Sequence, residues 1–171
     1  ELARADDATF ILLPKGLPPR FALGYLSMVP LCILSRLGII EDQAAHIKAA
    51  HEVLEALAKD CLHPRIAVRD NVAKYVAQKL FNKLTFIYTS SIHFDVVGMR
   101  LRAQLAENPK AIASNHVFPE MNHNEIAAWQ NPRKLLKDCV LVFLRDKDIN
   151  PRIVKRIELT KDLLSREGLR V

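Results

Sequence analysis

Residues 84–115 read LTFIYTSSIHFDVVGMRLRAQLAENPKAIASN, and the rhythm of apolar side chains changes twice along them. A β-branched and aromatic run over 84–89 predicts a strand, a helical period follows over 95–106, and a second short apolar run predicts a strand over 111–115. Two strands joined through a helix rather than a tight turn must lie parallel.

Working outward, the same alternation continues. A helix is predicted over 122–129, a strand over 139–144 (CVLVFL) and a helix over 151–167. The run at 139–144 is apolar at every position, as a strand covered on both faces requires. Gly168-Leu169-Arg170-Val171 reads as a turn entering a further strand, so the last βα unit is expected to be incomplete. The predicted class is α/β, a parallel sheet with helices on both faces.

Upstream the pattern is helical. Helices are predicted over 71–82 and over 41–60, the latter with an apolar stripe of Ala44, Ile47, Val53, Leu54 and Leu57. An earlier helix over 21–37, kinked near Pro30, is interrupted by Ser35, Arg36 and Gly38, which reads as a buried helix rather than a membrane span. The run TFILLP over 9–14 predicts a buried strand stopped by Pro14 and Gly16. These elements precede the sheet as linking helices.

A chain of 171 residues can enclose one ordinary core. Its net charge of +6 comes from Lys and Arg interspersed with Asp and Glu, as in Arg145-Asp146-Lys147-Asp148. Without a clustered basic face or stacking aromatics, nucleic acid is not the expected partner, whereas a small anion would suit the balance. Cys32, Cys61 and Cys139 lack the short spacing of a zinc or redox site and read as reduced thiols of a cytoplasmic protein.

In open parallel sheets ligands bind beyond the carboxyl ends of the strands, which directs attention to the segments after Thr89 and Asn115. Thr89-Ser90-Ser91-Ile92-His93 offers hydroxyls that would seat an anion or simply cap a helix. Glu107, in Glu107-Asn108-Pro109-Lys110, is an acid at a helix C-terminus, where it meets the negative end of the dipole. Pro119-Glu120-Met121-Asn122-His123-Asn124-Glu125 gathers two acids, two amides and an imidazole, the side chains of proton transfer. Alternatively, Asn122 as N-cap and Glu125 three residues on would make a capping box. No paired histidines stand at helical spacing, so no metal is expected. Arg20, behind two prolines, could clamp an anion, or be an ordinary surface arginine.

Together, Glu107-Asn108-Pro109-Lys110 and Phe118-Pro119-Glu120-Met121-Asn122-His123-Asn124-Glu125-Ile126 with Trp129 closely resemble the ENxK…PExNHNEI…W signature of bifunctional phosphoglucose/phosphomannose isomerases. Pro19-Arg20 with Gly24-Tyr25 resembles the PR…GY element that closes that family's first sugar-isomerase (SIS) domain. Residues 141–146 with Arg156, Thr160 and Lys161 resemble its later strand-helix unit. The resemblance implies that residues 1–38 are the last strand and helix of a first SIS domain, 39–63 a linking helix, and 64–171 a second SIS domain that is C-terminally incomplete.

It further implies a cytoplasmic homodimer with shared active sites, acting on sugar phosphates without a cofactor. Glu107 would move the proton between C2 and C1, His123 would assist ring opening from the partner subunit, and Arg20 would contact substrate and steady the enediolate. Asn108, Lys110, Glu120, Asn122 and Asn124 would support them. The sixteen residues between Glu107 and His123 are expected to place them on successive βα connections, in a shared pocket or one shared across a dimer. The chain alone is expected to be inactive. The alternative is a non-catalytic sugar-phosphate-binding regulator, which would not need a proton-transfer pair.

Overall fold

A computed structural model describes residues 2–90 and 93–171, in two compact units, Glu1–Asp60 and Cys61–Val171. The first unit is helical: α1 (Leu2–Ala5), α2 (Leu23–Arg36) and α3 (Ala44–Asp60). Pro19 opens a single 3-10 turn before α2, and the Asp42 carboxylate accepts the Ala44 amide at 3.1 Å before α3.

Two expectations fail here. The strand predicted over 9–14 is irregular chain, because a strand needs a neighbour and no described residue of this unit supplies one. The helix predicted over 21–37 forms but is not buried: it has no buried residue, and Leu26 is 50% exposed. Apolar content made the helix legible, but burial also requires an opposing apolar layer.

The second unit holds the sheet. Its elements are α4 (Val72–Leu80), β1 (Leu84–Ser90), α5 (Asp95–Glu107), β2 (Ala113–Phe118), α6 (Glu125–Ala128), β3 (Cys139–Leu144) and α7 (Pro151–Arg166). The strands are parallel in the order β2-β1-β3, with Tyr88 beside His116 on one side and Phe143 on the other. Helices cover both faces, as the sequence predicts.

Strand alternation sorts the side chains. Leu84, Phe86 and Tyr88 of β1 share a face with Phe118, Cys139, Leu141 and Phe143, and on that face Met121, Trp129, Ile157 and Leu164 close the core. Thr89 points to the other face, where Gly98 lets α5 approach closely. Buried Asn71 caps α4, accepting from the Lys74 amide at 3.0 Å and donating to the His63 carbonyl at 3.1 Å.

Asn150 accepts from the Arg152 amide at 2.9 Å, Pro151 opens α7, and Gly168 at φ +91° ends it. The chain then touches β3: the Leu141 amide donates to the Arg170 carbonyl at 2.9 Å, a parallel bridge where a further strand was expected. β2 lies two residues later than predicted at its start. The helix predicted over 122–129 shortens to α6, preceded by a 3-10 turn over Glu120–Asn122.

Candidate functional site

The segment between β2 and α6 is tied at almost every residue. Asn122 does not cap a helix; its amide donates to the Thr160 hydroxyl of α7 at 2.9 Å, so the predicted capping box is absent. Asn124 is the cap, accepting from the Glu125 amide at 2.6 Å while donating to the Glu120 carboxylate at 2.6 Å. Met121 is fully buried, and the His123 amide donates to the Glu120 carbonyl at 2.8 Å.

His123 is the exception. Its imidazole is exposed and makes no hydrogen bond or ion pair with the described residues. A ring presented to solvent from a fully braced loop can exchange protons without first giving up a partner.

Glu107 ends α5, and its carboxylate is likewise exposed and unengaged among the described residues. Its turn is held instead: Lys110, in the left-handed region at φ 60°, donates its amine to the Glu107 carbonyl at 2.7 Å. That cation offsets the negative end of the helix. Asn108 donates to the Gln104 side chain at 2.5 Å.

The two residues do not meet within one chain. Glu107 precedes β2 and His123 follows it, so they lie at opposite ends of the sheet, on an αβ and a βα connection rather than on successive βα connections. The six residues of β2 separate them by about 20 Å along the strand at the usual ~3.3 Å rise. Arg20 stands in the first unit, half-buried, its guanidinium 5.1 Å from the centre of the Phe21 ring.

Of the hydroxyl run at the end of β1, Thr89 and Ser90 are buried. Thr89 is fully buried against Gly98, Phe94 is the residue that caps α5, and in the first turn the Asp95 carboxylate accepts from the Val96 amide at 2.8 Å. Ser91 and Ile92 lie outside the described residues.

A partly buried polar cluster escaped the sequence reading. The Glu125 carboxylate accepts from the Tyr88 hydroxyl at 2.5 Å and pairs with His116 Nδ1. Trp129 Nε1 donates to the same Tyr88 oxygen at 2.9 Å, and His116 Nε2 meets the Ser114 hydroxyl at 2.7 Å. Burial first, and then the neighbouring carboxylate, push the Tyr88 phenol far above its ordinary pKa, so it stays a donor. Burial also raises the Glu125 carboxyl, against the opposing pull of Tyr88 and His116. Tyr88 and Glu125 are 37 residues apart, and nothing local links them. The alternation of Ser114, His116 and Phe118 was the available signal that His116 faces the core.

This cluster borders a cavity of about 540 Å³ walled mainly by Leu84, Phe86, Trp129, Leu135 and Leu136. Among the described residues no three His, Cys, Asp or Glu side chains gather to hold a metal ion, and no helix is long and apolar enough to cross a membrane.

Residues 69–171 match the family described as the bacterial phospho-glucose isomerase C-terminal SIS domain. The chain belongs to that family. Its SIS domain is the parallel sheet of the second unit with the helices around it. The chain is also similar to bifunctional phosphoglucose/phosphomannose isomerases of Caldicellulosiruptor bescii, 38% identical over 96% of this chain, and Aquifex aeolicus, 26% identical over 99%. It covers 48% of each of these relatives, so it spans about half their length. No solved structure matches it significantly.

Proposed function

We propose that this chain is the second-SIS-domain part of an aldose–ketose isomerase that interconverts glucose 6-phosphate and mannose 6-phosphate with fructose 6-phosphate through a cis-enediol. In this reading residues 1–38 close a first SIS domain, 39–63 link, and 64–171 form the second. Glu107 takes the C2 proton and returns it at C1, Arg20 steadies the enediolate oxygen, and His123 exchanges a proton with the ring oxygen.

The observation that carries the reading is the contrast at residues 120–125, where the side chains beside His123 are engaged and its own imidazole is free. A surface histidine of no function would not need a loop braced to two strands and a helix. The curated relatives named for this activity support the substrate class.

The 20 Å order of separation between Glu107 and His123 favours a site completed by a second copy, with His123 of one subunit serving Glu107 of the other. The working enzyme is then a cytoplasmic homodimer, and the 171-residue chain alone turns nothing over.

The test uses the full-length enzyme and exchange of the substrate C2 proton with solvent deuterium. Glu107→Gln keeps size but removes the proton acceptor, so turnover and exchange should fall about 10²–10⁴-fold with little change in binding. His123→Ala should impair cyclic substrate while exchange survives for substrate supplied in the open-chain form. Wild-type exchange by Glu107→Gln would reject the base assignment. Loss of open-chain exchange in His123→Ala alone would reverse the two roles.

A further inference from the structure

We propose that Glu125 is a positioning residue for His123, holding the imidazole in place for ring opening through a carboxylate shared between Tyr88 and His116. The inference rests on the role given to His123 above.

Glu125 stands two residues after His123, at the first position of α6. Its two oxygens reach two strands: one accepts from Tyr88 of β1 at 2.5 Å, the other pairs with His116 of β2. At the far end of the same short helix, Trp129 donates to the same Tyr88 hydroxyl at 2.9 Å. Both ends of α6 are therefore pinned to one fully buried phenol in the central strand.

A four-residue helix has too few internal bonds to hold its own place, so these side-chain ties fix where α6 begins. The start of α6 fixes the backbone from which His123 projects, since Asn124 is both its cap and the next residue. The tie is costly by itself, because a carboxylate is withdrawn from water beside Trp129 and Phe86. An apolar residue would fill the same volume without that cost, so stability alone does not account for the carboxylate.

Orientation of a proton-transfer group acts on the chemical step more than on binding. A displacement on the order of 1 Å can cost about 100-fold. Loss of the Glu125 carboxylate should therefore lower kcat and leave KM nearly unchanged.

The experiment is a double-mutant cycle in the full-length enzyme, with kcat and KM measured on cyclic fructose 6-phosphate. Glu125→Ala should lower kcat about 10- to 100-fold with KM within about threefold. Glu125→Gln, which retains an acceptor for Tyr88, should recover part of the loss. In a His123→Ala background, Glu125→Ala should have almost no further effect on kcat, because the group it positions is gone. Tyr88→Phe, which removes one hydroxyl and keeps the ring, carries the same test if Glu125→Ala does not fold.

Equal fold-losses with and without His123 would overturn the inference and leave the role of His123 standing, as would a rise in KM at constant kcat. If His123→Ala alone leaves turnover of cyclic substrate unchanged, the ring-opening role itself fails and the inference with it.

Discussion

A methyl group built onto Gly98 would lie 2.6 Å from Thr89 Cγ2, and Thr89 is fully buried, so neither side has room to move. Gly98→Ala gains up to about 1 kcal/mol of helix propensity, yet overpacking at a rigid contact costs about 1–3 kcal/mol. The expected net result is a destabilised protein, and Thr89→Ser, which deletes that Cγ2, should restore it; thermal melts of the two variants and their combination measure the effect. The cysteines provide a second test. Burial raises the Cys139 thiol, and its sulfur donates to the Leu135 carbonyl at 3.2 Å, whereas Cys32 is exposed. A thiol reagent at mild pH should label Cys32 quickly and Cys139 only after denaturation. Glu107 and His123, the proposed pair, stand out in the sequence at this scale because each breaks a local expectation, an acid at a helix C-terminus and an imidazole among amides. Tyr88 and His116 break none, and their importance arises only when two strands become neighbours.

Among the elements, those whose own residues settle their state matched the sequence best. β3 begins and ends as predicted, since an unbroken apolar run can only be an interior strand here, and α7 begins as predicted and ends one residue short, with Asn150, Pro151 and Gly168 marking its limits. The failures are elements whose state depends on something distant. Residues 9–14 lack a partner strand among the described residues of their unit, and the helix predicted over 122–129 gives way because Asn122 bonds α7 instead of its own backbone. Asn71 shows the local case at its strongest, a buried cap that also satisfies the His63 carbonyl. Asn71→Ala should cost about 2 kcal/mol, from the lost cap and the stranded carbonyl together, read as a lower denaturant midpoint at unchanged slope.

Over the whole molecule, buried side chains concentrate in the second unit, while α2 and α3 contain none. Limited proteolysis should therefore degrade residues 1–60 first and leave a resistant product beginning near Cys61, identified by intact mass. A product spanning both units at equal resistance would contradict this division. The placement of Glu107 and His123 at the two ends of β2 has a genetic consequence. Under the proposed pairing across a dimer, a Glu107→Gln subunit and a His123→Ala subunit are each strongly impaired on cyclic substrate with themselves, but together they form one site with both lesions and one with neither. The two impaired alleles should then complement when co-expressed, giving mixed dimers with about half the wild-type turnover per dimer, whereas two alleles altered at the same residue should not.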